Sequence, residues 1–178
     1  MSGSASCESN KFAHLYDMMT NPIHLEIVTS EGKDSLVLIP CNKDVHGEFI
    51  RKLTRENFYS IMSRSFGWDE TRHQQEPRFP ERYRMIQRDH EIIGFFSIRP
   101  ETSFLYLETI QLLPPYRNKG YGAALFEHIE NLAKSKNLFT IRLRVFKENP
   151  AHALYQRLGY KIIETDEYSY IMERALTK

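Results

Sequence analysis

The feature that most constrains the fold is a short glycine-containing loop, residues 117–123, which reads Arg-Asn-Lys-Gly-Tyr-Gly-Ala. It follows an apolar, strand-like run at 104–113 and precedes a segment with apolar residues at three- and four-residue spacing. Pro114 and Pro115 cannot donate ladder hydrogen bonds, so a regular strand has to end before them. The sequence therefore predicts a strand, a glycine loop and then a helix over about 121–136.

The start of this predicted helix is suited to bind an anionic group such as a pyrophosphate. The first N–H groups of a helix lack partners within the helix, and the peptide dipoles add partial positive charge there. Gly120 and Gly122 carry no side chain that would block a ligand, and Arg117 and Lys119 add formal charge. For this segment in isolation, an ordinary glycine-permitted turn into a helix stays an alternative. On the binding hypothesis, the amides that contact phosphate oxygens are those of Asn118, Lys119, Gly120, Gly122 and Ala123.

Alternating and helical patterns elsewhere predict one α/β chain with mostly antiparallel strands. Asn42 to about Phe66 carries two helical segments, and a later helix opens at Asn149-Pro150 and closes at Gly159. Residues 1–10 are small and polar and are expected to be disordered, and 12–19 form a short helix candidate. A turn is expected at 30–35. The predicted strands are 23–29, 36–39, 83–88, 92–99, 104–113, 139–145, 161–163 and 168–172.

Composition excludes several classes of function. The chain has 178 residues, enough for one domain with or without an appendage, and its 24 basic and 23 acidic residues nearly balance. We therefore expect no nucleic-acid partner, and no apolar stretch is long enough to span a bilayer. The amino terminus lacks the features of a signal peptide, so we expect a cytoplasmic protein. The seven histidines lack metal-ligand spacing, so no metal is expected.

Two segments resemble the GCN5-related N-acetyltransferases. Residues 107–123 are similar to the fourth strand and pyrophosphate loop of that family, and residues 145–160, Val-Phe-Lys-Glu-Asn-Pro-Ala-His-Ala-Leu-Tyr-Gln-Arg-Leu-Gly-Tyr, resemble its second signature. The resemblance covers about residues 35–175 in element order. It implies a mixed, mostly antiparallel sheet of about six to seven strands, flanked by about four helices.

The resemblance also implies the donor and its binding residues. Acetyl-CoA is the expected donor, and a small-molecule amine is the expected acceptor. The strand before the loop is expected to be splayed, partly by a bulge, so that its free backbone groups pair with the pantetheine arm. The number of residues between Asn149 and Tyr155 is one smaller than in many members, which leaves a role as a simple helix cap open for Asn149. The donor-binding residues are expected to be Ile110, Gln111, Leu112, Leu113, Arg117, Asn118, Lys119, Gly120, Tyr121, Gly122, Ala123, Asn149 and Tyr155.

Glu108 and Tyr155 are the candidate catalytic residues. Strand alternation places Glu108 on one face with Tyr106, Ile110 and Leu112, where burial would raise its proton affinity, as a general base requires. The resemblance aligns it with a glutamate that some members use as the base. The alternative is a carboxylate satisfied by a nearby hydroxyl or arginine. Tyr155 occupies the position where the resemblance places the acid that protonates the leaving thiolate, although it also lies on a helix core face.

The irregular stretch 67–80 is expected to contact the acceptor, with Trp68, Arg72 and Tyr83 as candidate contacts and His73 and Arg78 nearby. We divide the chain into an extension, 1–34, and an N-acetyltransferase domain, 35–178. The extension is expected to add a strand to the sheet, to cover a neighbouring subunit of a homodimer, or both. Two other functions stay open: a non-catalytic acyl-CoA-binding sensor or docking domain, and an acetyltransferase that acts on a protein or peptide amine.

Overall fold

A single mixed sheet organises the chain. The computed structural model describes residues 20–74 and 77–177, and for Arg72 the backbone alone. Eight strands pair in the order β1-β2-β3-β4-β5-β6-β8-β7, and every neighbouring pair is antiparallel except β5 and β6. The strands are β1 (Ile23–Thr29), β2 (Gly32–Pro40), β3 (Tyr83–Arg88), β4 (Glu91–Pro100), β5 (Leu105–Leu112), β6 (Thr140–Phe146), β7 (Lys161–Thr165) and β8 (Ser169–Ala175).

Helices lie on both faces of this sheet and bury two apolar clusters. They are α1 (Lys43–Ser65), the one-turn α2 (Glu70–His73), α3 (Tyr121–Ser135) and α4 (Ala151–Arg157). The larger cluster lies beneath α3 and α4 and includes Leu36, Phe96, Leu125, Phe126 and Ile129. The smaller cluster lies beneath α1 and consists of Ile50, Leu53, Met85 and Phe95. The expectation of a mixed, mostly antiparallel sheet with flanking helices is confirmed.

The amino-terminal hairpin is longer and tighter than predicted. β2 begins at Gly32 rather than at residue 36, because the turn uses only Ser30 and Glu31 and lets Thr29 pair with Gly32. All of β1 pairs with β2, so the described residues form a sheet of eight strands rather than the expected six to seven. β1 is the strand expected within the extension. The proposed boundary at residue 34 stays a prediction, and the predictions for 1–10 and 12–19 lie outside the described residues.

A single helix replaces the two helical segments predicted between residues 42 and 66. The Asn42 side chain caps its start by accepting a hydrogen bond from the Asp44 amide at 2.9 Å. Gly47 lies inside the helix, where a glycine costs about 1 kcal/mol relative to alanine. Burial of Ile50 and Leu53 in the smaller cluster offsets that cost, so the helix continues without a break.

β5 and β6 pair over only a short length. Leu105–Leu107 pairs with Ile141–Leu143, and beyond these residues the two parallel strands have no paired residues among those the structure describes. On its other side, β5 carries a bulge, since Ser97 pairs with Thr109 and Ile98 with Leu107, which leaves Glu108 as the extra residue. The strand is therefore splayed from β6 and bulged, as expected.

The bulge corrects the predicted placement of Glu108. An extra residue shifts the side-chain alternation by one position. Ile110 and Leu112 consequently pack with Leu107 in the larger cluster, whereas the Glu108 side chain lies on the opposite face, at the Ser97 hydroxyl. The expectation that Glu108 shares a face with Ile110 and Leu112 is wrong, because it assumed uninterrupted alternation.

Candidate functional site

A cavity of about 1500 Å³ occupies the space between the diverging ends of β5 and β6. The start of α3 and one side of α4 border it on one face of the sheet, and α1 crosses it on the other. Helix α1 contacts both strands: Asn57 Nδ2 donates to Gln111 Oε1 at 2.9 Å, and the Phe58 and Phe146 rings lie 5.9 Å apart. The turn between β7 and β8, residues 166–168, borders the same space.

Most of the predicted donor-binding residues line this cavity. Leu113, Lys119 and Tyr121 are not among its lining residues. Those that line it are Ile110, Gln111, Leu112, Arg117, Asn118, Gly120, Gly122, Ala123, Asn149 and Tyr155.

The loop at 117–123 presents its main chain to the cavity. Asn118 and Gly120 both have a positive φ, 60° and 101°, and this left-handed backbone turns the chain sharply into α3. The first bond of the helix runs from the Ala124 amide to the Gly120 carbonyl at 3.1 Å. Within the described part of the chain, the amides from Asn118 to Ala123 have no hydrogen-bond acceptor. A row of unpaired donors therefore lies at the positive end of a helix dipole.

Protein contacts engage the two basic side chains of the loop. Arg117 Nε donates to the Leu112 carbonyl at 2.9 Å, and its Nη2 donates to Asn57 Oδ1 at 2.5 Å. Lys119 Nζ lies 2.8 Å from Glu31 in the β1–β2 turn. Arg117 thus fastens the loop to the end of β5, and Lys119 fastens it to the first hairpin.

The Tyr121 side chain points into the protein rather than into the cavity. It is 2% exposed, and its hydroxyl donates to Asp34 Oδ2 on β2. Burial, together with this bond, raises the pKa of Tyr121 to about 12. The same bond holds the pKa of Asp34 below its ordinary value, and Arg88 Nε lies 2.8 Å from that carboxylate. Tyr121 therefore anchors the loop through its side chain.

The β6-facing edge of β5 is open along 108–112, as a strand that binds an extended ligand requires. On the other edge, β4 approaches closely: a Cβ on Gly94 would lie 2.2 Å from the Gln111 carbonyl oxygen, so only glycine fits there. The buried Gln111 side chain donates to Thr54 Oγ1 at 3.2 Å. These contacts hold β5 against β4 and α1 while its other edge faces the cavity.

Glu108 lines the cavity and takes part in an ion-pair network. Its Oε2 accepts from Ser97 Oγ at 2.8 Å, and its Oε1 lies 3.1 Å from Arg99 Nε and 3.4 Å from Arg82 Nη1. The side chain is 28% exposed, so it is not buried in the way the alternation had suggested. Its surroundings match the alternative reading from the sequence, a carboxylate with a hydroxyl and arginine partners.

Tyr155 lies in the wall of the cavity that α4 forms. Its ring packs 5.2 Å from the Phe126 ring and 6.2 Å from the Tyr160 ring, and the residue is 7% exposed. Burial raises the pKa of Tyr155 to about 12, so the phenol stays protonated at neutral pH. The residue is thus both part of the helix core face and a proton-bearing group at the cavity.

Asn149 serves as a helix cap. Its Oδ1 accepts from the Ala151 amide at 3.0 Å, at the start of α4. Gly159 ends the helical segment with a φ of 88°, as predicted.

The residues predicted to contact the acceptor do not all lie at the cavity. Tyr83 lines the cavity, as do His73 and Arg78. Trp68 is not among the lining residues: its ring stacks on His73 at 3.7 Å, and its Nε1 donates to Glu70 Oε2 at 2.7 Å. The side chain of Arg72 lies outside the described residues.

Four cavity residues that the sequence did not single out form an aromatic bridge: Phe58 and Phe66 from the α1 end, Phe146 from β6 and Tyr168 from the β7–β8 turn. Phe66 lies 6.0 Å from both Phe146 and Tyr168 between ring centroids. An ion pair of 2.5 Å between Arg64 Nη2 and Glu148 Oε2 also links the end of α1 to the segment that follows β6. These residues are far apart in the sequence, and no local pattern predicts their contact.

No group of three His, Cys, Asp or Glu side chains suited to a metal ion occurs in the described ranges 20–74 and 77–177. Within the same ranges, no helix combines the length and apolar character of a membrane span.

Comparison with known proteins places this geometry in one family. The model of the acetyltransferase (GNAT) family matches residues 48–160. A probable N-acetyltransferase, san, of Drosophila melanogaster is 41% identical over 68 residues, which are 37% of this chain and 37% of the relative. A spermidine N(1)-acetyltransferase of Thermoplasma acidophilum is 30% identical over 87 residues, 48% of this chain and 54% of the relative. The chain thus spans only about a third to a half of the length of these curated relatives.

A solved structure shares the fold along most of the chain. The PaiA N-acetyltransferase of Thermoplasma acidophilum, solved in complex with coenzyme A, superposes with a TM-score of 0.63 and 18% identity. The match covers 79% of this chain and 98% of that one. The family match includes both the loop at the start of α3 and the α4 signature, so this chain belongs to the acetyltransferase (GNAT) family.

Proposed function

We propose that this protein is an acetyl-CoA-dependent N-acetyltransferase that moves an acetyl group to an amine of a small molecule. One observation carries the proposal: the unpaired amides at the start of α3 face a cavity between two diverging strands. A diphosphate fits such a row of donors, and an amide-bearing arm fits the open edge of β5. The Thermoplasma acidophilum structure with the same fold contains coenzyme A, which supports this donor.

The residues around the cavity support direct transfer in a ternary complex. Acetyl-CoA supplies a thioester whose carbonyl carbon the amine attacks. A backbone N–H near Leu112 polarises that carbonyl, and Tyr155, which burial keeps protonated, gives a proton to the leaving sulfur. Glu108 takes the proton that the amine loses, through an intervening hydroxyl or water. Cys41 does not line the cavity, so no described thiol is placed to form an acyl-enzyme.

The aromatic bridge favours a small acceptor over a polypeptide. The donor occupies the side of α3 and α4, so the acceptor has to enter from the side of α1. There the bridge joins the α1 end to the β7–β8 turn, and its four rings line the cavity on that side. The space that remains lies beside Arg78, Phe79 and Tyr83. A slender amine passes such an opening more readily than a folded polypeptide end, and one relative is named a spermidine N(1)-acetyltransferase, which supports this acceptor class.

A coenzyme A release assay tests this function. The protein and acetyl-CoA are mixed with amino acids, polyamines, aminoglycosides or short peptides, and free thiol is followed with time. We expect turnover with at least one small amine and weaker turnover with peptides. Preferred turnover of peptides would replace the small-molecule acceptor with a peptide amine.

The Glu108→Gln/Tyr155→Phe double variant serves as the control in this assay. It should bind coenzyme A but release almost no thiol, which separates catalysis from contaminating activity. Tight donor binding without turnover across the whole panel would instead support the sensor function and contradict the proposal.

A further inference from the structure

A row of three polar side chains crosses the sheet beside the cavity. Tyr83 on β3 and Ser97 on β4 are direct cross-strand partners, and their side chains interact. Ser97 Oγ donates to Glu108 Oε2 at 2.8 Å. Ser97 has no exposed surface, whereas Tyr83 and Glu108 both line the cavity. Both ends of the row therefore reach the cavity, and its middle residue, Ser97, is inaccessible to solvent.

The direction of the protons along this row is fixed by chemistry. A serine hydroxyl has one proton and two acceptor lone pairs. Since the Ser97 proton is donated to Glu108, a proton can pass from Tyr83 to Ser97 only through a bond that the Tyr83 hydroxyl donates. The Tyr83 oxygen then keeps its lone pairs available to accept a hydrogen bond from another donor.

Glu108 itself is a poor first contact for an amine. Both of its carboxylate oxygens already accept from protein donors: Oε2 from Ser97, and Oε1 from Arg99, with Arg82 at 3.4 Å. An amine that approached the carboxylate directly would compete with these groups. An amine at Tyr83 would extend the existing row instead.

We propose that Tyr83 receives the proton of the acceptor amine and that this proton reaches Glu108 through Ser97. This inference rests on the proposed function. As the nitrogen bonds to the thioester carbonyl carbon, its N–H bond breaks and the proton joins the Tyr83 oxygen. The former Tyr83 proton moves to Ser97 Oγ, and the former Ser97 proton moves to Glu108 Oε2. The C–S bond breaks, and the sulfur takes its proton from Tyr155.

Two further observations agree with this role. Burial and the Glu108 charge raise the pKa of Tyr83, so the residue stays a phenol and passes a proton on rather than acting as a phenolate. The Glu108 side chain is partly exposed, which lets it return the proton to solvent after each turnover.

The test compares Tyr83→Phe, Ser97→Ala and the Tyr83→Phe/Ser97→Ala double variant with the unaltered protein, using the best amine from the release assay. We expect each single variant to lower kcat by about 10²-fold or more, the size typical of acid–base groups, with the dissociation constant of coenzyme A unchanged. Because the three groups act in series, the double variant should be no slower than the slower single variant, within about twofold. Solvent deuterium effects provide a second readout: the curved dependence of rate on deuterium content in the unaltered protein should become linear in either single variant.

Tyr170→Phe is the matched control, because Tyr170 is also on a strand but does not line the cavity. It should leave every parameter unchanged. Unchanged kcat in Tyr83→Phe would overturn the relay while leaving the proposed function intact, since the unaltered protein would still turn over. The relay would also be overturned if the two losses of kcat multiplied in the double variant. An equal loss of coenzyme A affinity in the single variants would have the same consequence. No turnover by the unaltered protein with any amine would remove the proposed function and the relay together.

Discussion

The Tyr121 hydroxyl on α3 donates to the Asp34 carboxylate on β2, 87 positions away in the sequence. This contact joins the first turn of the helix behind the donor loop to the amino-terminal hairpin. Arg88 on β3 completes the cluster with a 2.8 Å ion pair to the same carboxylate. The orientation of the loop therefore depends on strands that contribute no residue to the donor-binding set predicted from the sequence.

Replacement of Asp34 by asparagine should destabilise the protein in a pH-dependent way. The pKa of Asp34 is held below its ordinary value of 3.8, first by the Tyr121 bond. A carboxyl group with a lowered folded-state pKa stabilises the fold above the unfolded value, and this contribution is lost as the pH falls through the folded value. We expect Asp34→Asn to lower the free energy of unfolding by about 1–2 kcal/mol at pH 7. The difference should shrink below about pH 3.8 in urea denaturation.

Asp89→Asn is the control for this prediction, because Asp89 lies 3.7 Å from the same arginine but is 81% exposed. It should change stability little at any pH. A difference between Asp34→Asn and the unaltered protein that stays constant from pH 7 to pH 3 would contradict the assignment.

Replacement of Gly120 by alanine should weaken donor binding. The residue has a φ of 101°, and an added Cβ would lie 3.3 Å from the Val28 carbonyl oxygen and from Thr29 Cα. A left-handed conformation costs a residue with a Cβ about 1–2 kcal/mol, and the crowding would push the loop away from the first hairpin. We expect the dissociation constant of coenzyme A, measured by calorimetry, to rise about tenfold. Gly159→Ala carries similar backbone strain, at a φ of 88°, and should leave that constant unchanged.

Replacement of Tyr155 by phenylalanine should lower kcat by about 10²-fold or more and leave donor affinity intact, because only the proton donor is lost. Since burial raises the pKa of Tyr155 to about 12, the rate of the unaltered protein should show no titration of this group between pH 6 and pH 10. Tyr160→Phe is the matched control: its hydroxyl is buried and has no hydrogen-bond partner among the described residues. Equal rates for both variants would remove Tyr155 from the mechanism.

Opening the aromatic bridge should broaden the range of acceptors. Phe66→Ala and Tyr168→Ala each remove one ring from the contacts between the α1 end and the β7–β8 turn. We expect the ratio of kcat/KM for a short peptide to kcat/KM for the best small amine to rise about tenfold, which corresponds to about 1.4 kcal/mol of differential transition-state binding. Val45→Ala, an exposed apolar position near the start of the same helix, should not change the ratio. An unchanged ratio in both bridge variants would show that the bridge does not limit acceptor size.

Sequence patterns correctly predicted the parts of this fold that depend on residues close together in the chain. The glycine loop and the helix after it follow from backbone preferences of a few consecutive residues, and the structure shows both. Ten of the thirteen donor-binding residues that the resemblance identified line the cavity.

Features that depend on contacts between residues far apart in the sequence could not be predicted from local patterns. The bulge at Glu108 exists only in the pairing of β5 with β4, so strict alternation put its side chain on the wrong face. The aromatic bridge joins Phe58 to Phe146, and the row from Tyr83 to Glu108 uses three different strands. Neither has a signature at any fixed spacing in the chain.

Among the residues that the structure describes, three pairs join β5 to β6, so this short pairing alone connects the two parts of the sheet. A donor molecule that bonded to the open edge of β5 and to the start of α3 would act as an additional fastening between those two parts. The association of the five amino-terminal strands with the three carboxy-terminal strands would then depend on the cellular concentration of the donor. A shortage of the cosubstrate would therefore destabilise the protein as well as stop turnover.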